Sequence, residues 1–76
     1  MKEVSRKIIN HIGIISKNNS INKEINLISW NGNEPVYDIR NIKVNDDGTL
    51  TFLKGITLNK EELFELKEII CEMGEK

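Results

Sequence analysis

The residues best suited to chemistry lie in one short stretch, residues 30–40, where an aromatic side chain precedes a turn and an Asp/Arg pair follows it. Trp30 stands before Asn31-Gly32, a pair that accepts the positive φ angles of tight hairpin turns. Asp38 and Arg40 follow on a run that alternates apolar and polar residues, as a half-buried strand does. We therefore expect a β-hairpin that carries the working surface.

This surface suits binding better than catalysis. No nucleophile–base pair, phosphate-cradling glycine-rich loop or pair of carboxylates occurs at a meaningful spacing. The chain has one histidine, His11, and one cysteine, Cys71, so the residues predict no metal site, no cofactor and no enzyme. Cys71 is expected to be a small buried hydrophobe in a helix. Arg40 is open to two interpretations that are compatible, a ligand contact or an ion pair with Asp38 on the same strand face.

The length of the chain limits the number of domains and the size of the core. A chain of 76 residues forms one small domain, here residues 1–76, and buries only about 60% of its unfolded surface. We therefore expect a homodimer, in which a second copy supplies the missing burial. A lone cysteine excludes an internal disulfide and favours a reducing, cytoplasmic setting, and neither a signal peptide nor a membrane span is expected.

The net charge of −1 hides an asymmetry. Residues 1–58 hold eight Lys/Arg and six Asp/Glu, a sum of +2, whereas residues 59–76 hold three Lys and six Glu, a sum of −3. The first part suits a polyanion and the last part faces away from it, although +2 is an ordinary value.

The pattern predicts an α+β fold of four antiparallel strands followed by one C-terminal helix. The strands are expected at about 8–17, 22–31, 35–45 and 49–53, and the helix at about 60–73. Pro35 belongs at the start of a strand or on an edge, and Gly55 suggests a bulge or a sharp change of direction after a short fourth strand. Asn59 and Glu62 form a capping-box pattern at the start of the helix.

Two motifs follow the Trp30-Asn31-Gly32 hairpin, namely Asp38-Ile39-Arg40 and Lys54-Gly55-Ile56-Thr57-Leu58-Asn59. In this order and at this separation, with the helix after them, the chain resembles the positive-cofactor-four family of transcriptional coactivator domains. It looks closest to the short bacterial members of that family. The resemblance covers about residues 22–72.

The resemblance implies a homodimer that binds single-stranded DNA on the strongly curved face of its sheets, with helices on the other side. Carried over by motif position, the nucleic-acid-binding residues are Lys23, Trp30, Asn31, Arg40, Lys43 and Lys54. The chain departs from the eukaryotic pattern in its longer hairpin, Asn33-Glu34-Pro35, and in having Ile42 or Lys43 in place of a second aromatic residue.

The implied role is binding with little sequence preference, in transcription, replication or repair. Trp30 would stack on bases, while Arg40 and the three lysines would contact the backbone. Single-stranded RNA is the second candidate ligand, because nothing in the sequence selects a sugar, and a bacterial chain would be nucleoid-associated. For each residue a plainer interpretation stands beside this one, a buried Trp30 and solvated lysines. The alternative function is a protein-interaction module that recruits a polymerase or repair partner, which the sequence pI of about 5.8 favours.

Overall fold

The computed structural model of the protein describes residues 5–74. Four strands and one helix follow one another along the chain. They are β1 (Arg6–Asn18), β2 (Ile21–Trp30), β3 (Val36–Val44), β4 (Leu50–Leu58) and α1 (Lys60–Met73). The predicted fold class, a curved four-stranded antiparallel sheet followed by one helix, is confirmed.

The sheet is a meander in which each strand pairs with the next one in the chain, in the order β1-β2-β3-β4. Its turns use residues that tolerate a positive φ, which lets the chain reverse within a few residues. These residues are Asn19 after β1, Asn31 and Gly32 after β2, and Gly48 before β4. Pro35 lies directly before β3, where it is not required to donate to the ladder.

The two faces of the sheet differ sharply in burial. We call the side that carries Asn26, Ile28, Asp38 and Ile42 the inner face, because these four side chains are fully buried. Alternation along β2 and β3 places Trp30 and Arg40 on the same side. The opposite, outer face carries the half-buried residues Ile25, Leu27, Tyr37 and Ile39. Curvature of the sheet therefore encloses a small core that is half polar.

β1 departs from a regular strand at three places. Its pairing with β2 skips Ile9, Ile12 and Ile15, so that thirteen residues of β1 pair along ten residues of β2. Each skipped residue is a bulge, and bulges increase the local twist of a strand. The imperfect alternation of the sequence in this segment reflects these bulges. β1 also begins two residues earlier and ends one residue later than predicted.

The predicted end of the fourth strand, at residue 53, is wrong, because β4 continues to Leu58. The register between β3 and β4 shifts where Leu53 and Lys54 lie opposite Asn41 alone, which is a bulge directly before Gly55. The strand continues because Gly55 permits a close approach to β3 rather than a break. A Cβ atom at this position would lie 2.0 Å from the Cβ of Arg40 and 2.5 Å from the carbonyl oxygen of Ile39.

α1 has the predicted bounds and the predicted capping box. The Asn59 side chain accepts a hydrogen bond from the Glu62 backbone N–H at 2.7 Å, and the Glu62 carboxylate accepts one from the Asn59 N–H at 2.9 Å. No side chain of α1 is buried. Cys71 is exposed, contrary to the expectation that it is a buried hydrophobe. Among residues 5–74 no helix is long and apolar enough to cross a membrane.

Candidate nucleic-acid interface

Arg40 is built into the fold through three hydrogen bonds. Its Nε and Nη2 donate to the two carboxylate oxygens of Asp38 at 2.6 and 2.7 Å, and its Nη1 donates to the carbonyl oxygen of Leu53 at 3.0 Å. Asp38 is fully buried and the Arg40 side chain is 15% exposed. The ion pair that the sequence allowed is therefore present, and it also ties β3 to the bulge of β4. The guanidinium keeps two N–H groups and one flat face for other contacts.

Trp30 is half-buried at the end of β2, where it packs against residues of two other strands. The guanidinium carbon of Arg40 lies 4.9 Å from the centre of its ring. The ring of Phe52 stands perpendicular to the indole, with the two centroids 6.0 Å apart. The indole N–H is buried and has no hydrogen-bond acceptor among the described residues. Trp30 thus combines a core contact with a donor that is left unsatisfied.

Two residues that the sequence did not single out, Arg6 and Phe52, complete this cluster. The guanidinium carbon of Arg6 lies 4.1 Å from the centre of the Phe52 ring. Arg6 pairs with Trp30 across β1 and β2, whereas Phe52 pairs with Ile42 near the other end of the sheet. Only the curvature of the sheet brings them together. We call this set the aromatic–arginine cluster; its members are Arg6, Trp30, Arg40 and Phe52.

The hairpin residue Asn31 makes hydrogen bonds that belong to the fold. Its backbone N–H donates to the carbonyl oxygen of Ser5, and its side-chain oxygen accepts from the Ser5 N–H at 2.8 Å. Asn31 therefore extends the pairing of β1 with β2 past Trp30. Its side-chain NH₂ group makes no hydrogen bond within residues 5–74 and is exposed at the hairpin tip.

The three predicted lysines lie away from the aromatic–arginine cluster. Lys23 and Lys54 border an open depression over the outer face, whose floor includes Ile39, Asn41 and Ile56. Lys43 lines a separate depression at the β3–β4 turn. The register places Lys23 and Lys43 on the face opposite to Trp30. The structure thus brings Lys23 together with Lys54, and Trp30 together with Arg40, but it does not unite all six residues in one patch.

A second polar network lies beside the buried ion pair on the inner face. The amide oxygen of the buried Asn26 lies 2.7 Å from Nδ1 of His11, and its NH₂ group donates to Glu24 at 3.3 Å. Asn22 also donates to Glu24 at 3.3 Å. This network satisfies the buried amide and accounts for His11 as a partner of Asn26. Within residues 5–74 no group of three His, Cys, Asp or Glu side chains is arranged to hold a metal ion.

The arrangement can therefore do three things chemically. It offers two aromatic rings and two guanidinium groups at one end of the inner face, a set that suits bases and phosphates. It offers a pair of lysines beside an apolar floor on the outer face. It offers point charges at exposed positions, which act at a distance on a polyanion.

Comparison with known proteins agrees with the motifs. No curated protein matches the chain significantly. The model of the family described as Transcriptional Coactivator p15 (PC4) matches residues 17–69, which include β2, β3, β4 and most of α1. The matched segment is well over half of the chain and contains the hairpin, the Asp-Ile-Arg strand and the Lys-Gly-Ile junction. The chain is a member of the PC4 family, a family of DNA-binding transcriptional coactivators.

Proposed function

We propose that the protein binds single-stranded nucleic acid with little sequence preference, as a homodimer that acts in transcription, replication or repair. The observation that carries the proposal is the stack of Arg40 on Trp30 at an end of the inner face. Single strands present unpaired bases, and stacking of a base on an aromatic side chain is worth about 1–3 kcal/mol without requiring a particular sequence. Membership of the PC4 family supports the same role.

In this proposal the inner and outer faces of the sheet have different roles in binding. The aromatic–arginine cluster supplies the contacts to bases and to the nearest phosphates. The exposed lysines on the outer face attract the strand as point charges. Arg40 acts mainly by holding the cluster in place, since three of its donors are already used.

The homodimer has independent support in the surface of one copy. Only two hydrophobic side chains, Ile28 and Ile42, are fully buried among the described residues. The apolar side of α1 carries Ile69, Ile70 and Met73, which neighbour one another on the helix and are at least half exposed, and Phe64, on another side of α1, is also more than half exposed. Soluble monomers rarely leave so much contiguous apolar surface in water. A second copy of α1 packed on this side would cover it and enlarge the core.

The test is the fluorescence of Trp30, the sole tryptophan, during titration with an unstructured oligonucleotide of about twenty thymidines at several salt concentrations. We expect saturable quenching that weakens as salt rises, because binding releases counterions from the phosphates. The double variant Lys23→Gln/Lys54→Gln should bind more weakly and with a smaller salt dependence. The matched control, Lys60→Gln/Lys67→Gln, removes the same charge from α1 and should behave like the wild type.

No fluorescence change and no gel shift at tens of micromolar would contradict the proposal. The protein-interaction function would then remain, in which the acidic C-terminal part and the apolar side of α1 recruit a polymerase or repair protein. An oligonucleotide of uridines in the same titration decides between DNA and RNA as the better ligand.

A further inference from the structure

We propose that Arg6 and Phe52 form a second nucleotide position beside Trp30, in which Phe52 stacks on a base and Arg6 binds the adjoining phosphate. This inference deepens the proposed function and rests on it. It assigns a role to two residues that lie outside every motif of the sequence. It also shifts the phosphate contact of this end of the sheet from Arg40 to Arg6.

The two arginines of the cluster differ in how many of their N–H donors are already used within the fold. Arg40 donates three hydrogen bonds to Asp38 and Leu53, and its charge is balanced by the buried Asp38 carboxylate at 2.6 Å. Arg6 is exposed, and within residues 5–74 its side chain has no carboxylate within 4 Å and makes no hydrogen bond. Its guanidinium lies over the Phe52 ring, 4.1 Å from the ring centre. Arg6 is therefore the arginine whose N–H edges are available to a phosphate.

The groups around Phe52 also define the chemistry of the ligand. The Arg6 guanidinium, which only donates hydrogen bonds, lies over the Phe52 ring, and the Trp30 ring stands perpendicular to it. Within residues 5–74 the buried indole N–H of Trp30 has no acceptor, and a buried donor without a partner is costly. The groups that form the position are thus hydrogen-bond donors and aromatic surface. A nucleotide supplies what is missing, phosphate and base acceptors together with a π-face.

The rearrangement that binding requires is small. In the free protein the Arg6 guanidinium covers one face of the Phe52 ring. A cation–π contact at an exposed site is weak, whereas the stacking of a base on a ring is stronger. An arriving base therefore takes the place of the guanidinium on the ring. The long Arg6 side chain then turns toward the phosphate of the same nucleotide.

The experiment measures dissociation constants for the thymidine oligonucleotide at several salt concentrations, with intact folded protein. Arg6→Gln should weaken binding several-fold and reduce the slope of log K against log salt by about one. Phe52→Leu keeps an apolar side chain but removes the ring, and should weaken binding about tenfold with the salt slope unchanged. Phe52→Trp restores a stacking surface and should bind like the wild type.

Two controls separate this position from the rest of the molecule. Lys67→Gln removes one charge from the cation–ring pair that Lys67 makes with Phe64 on α1, and should leave both the affinity and the salt slope unchanged. Thermal unfolding of every variant shows whether a loss of binding follows a loss of folding, and the rescue by Phe52→Trp answers the same question in the binding assay.

The outcomes distinguish the two proposals. If the wild type binds with the expected salt dependence but Arg6→Gln behaves like Lys67→Gln, and Phe52→Leu binds like the wild type, the second position is excluded and the proposed function stands. Equal weakening by Phe52→Leu and Phe52→Trp would show that Phe52 acts only by packing, which also overturns the proposal. Failure of the wild type to bind any oligonucleotide overturns both.

Discussion

At the scale of single residues, Arg40 has a role in the stability of the fold that does not depend on any ligand. The carboxylate of Asp38 is fully buried, and the only cationic group within 4 Å of it in residues 5–74 is the Arg40 guanidinium. A buried charge whose partner is removed is strongly destabilising, because it has lost both water and its counter-charge. Loss of binding in an Arg40 variant would thus be ambiguous unless the folding of that variant is measured too.

We predict that Arg40→Ala lowers the free energy of unfolding by about 3–5 kcal/mol. The physical reason is the unpaired Asp38 carboxylate, together with the loss of the bond to Leu53. Urea unfolding at neutral pH measures the effect, and Lys43→Ala, an exposed lysine on the same strand, should change the stability by less than about 0.5 kcal/mol. The variant Asp38→Asn/Arg40→Gln should recover part of the loss. A fall of less than about 1 kcal/mol in Arg40→Ala would contradict this account.

A second residue-scale prediction concerns acid and the β3–β4 turn. The hydroxyl of Thr49 donates to the Asp47 carboxylate at 2.7 Å and the Thr49 backbone N–H donates at 3.0 Å, and these bonds lower the pKa of Asp47 below its ordinary value. A lowered pKa means that the charged form stabilises the folded turn at all higher pH values. This contribution is lost as the pH falls below the ordinary value of a carboxyl and through the lowered one.

We therefore expect the Asp47 side chain, followed by NMR, to titrate at a lower pH than an aspartate in an unstructured peptide. The backbone amide signal of Thr49 should move with the same midpoint. Thr49→Val removes the hydroxyl donor and should raise the pKa of Asp47 toward its ordinary value. An unchanged midpoint in Thr49→Val would show that the hydroxyl is not the cause.

At the scale of elements, what could be predicted depended on how local the signal is. α1 was predicted with its correct ends because its cap, Asn59 with Glu62, and its apolar spacing lie within the element. The β2–β3 hairpin was predicted for the same reason, through Asn31 and Gly32. The aromatic–arginine cluster could not be predicted in full, because Arg6 and Phe52 meet Trp30 only through the curvature of the whole sheet.

The end of β4 was predicted wrongly because the signal at Gly55 depends on a neighbouring strand and is not local. A glycine inside a strand pattern marks either a break or a close approach of two backbones, and sequence alone does not choose between them. At Gly55 the close approach is the correct interpretation, since Arg40 occupies the space of the missing side chain. The motif Lys54-Gly55-Ile56 thus belongs to a strand, and its glycine lets β4 bring the Leu53 carbonyl to the Arg40 guanidinium.

We predict that Gly55→Ala destabilises the protein by about 1–3 kcal/mol or more, as overpacking does. Its methyl group would meet the Cβ and Cα atoms of Arg40 and the backbone oxygen of Ile39, which yield only if the two strands separate. Gly13→Ala is the matched control in β1, because the nearest atom to its new methyl group is a side-chain carbon of Ile25 at 4.0 Å. Thermal unfolding compares the two, and equal stability of both variants would contradict the close-approach account.

At the scale of the whole molecule, one copy has a small fully buried core. Its fully buried side chains comprise two isoleucines, an asparagine and an aspartate within the described residues. A domain of this size needs more apolar burial than that to offset the conformational entropy lost on folding. The proposed homodimer would supply this burial at the apolar side of α1, and it would make stability depend on protein concentration.

We predict that the protein sediments as a dimer at micromolar concentration and that its midpoint of thermal unfolding rises with concentration. Ile70→Ser/Met73→Ser should shift the sedimentation toward a monomer of about half the mass and abolish the concentration dependence, because these side chains lie on the apolar side of α1 and are 50% and 72% exposed in one copy. Glu65→Gln/Glu68→Gln, on the same helix, should leave the dimer intact. A folded wild-type monomer at these concentrations would contradict the dimer, and the unpartnered side of α1 would then be a surface for another protein. If the dimer holds and the α1 variant also binds oligonucleotide more weakly, the two nucleic-acid surfaces of the dimer act together on one strand, as linked sites do.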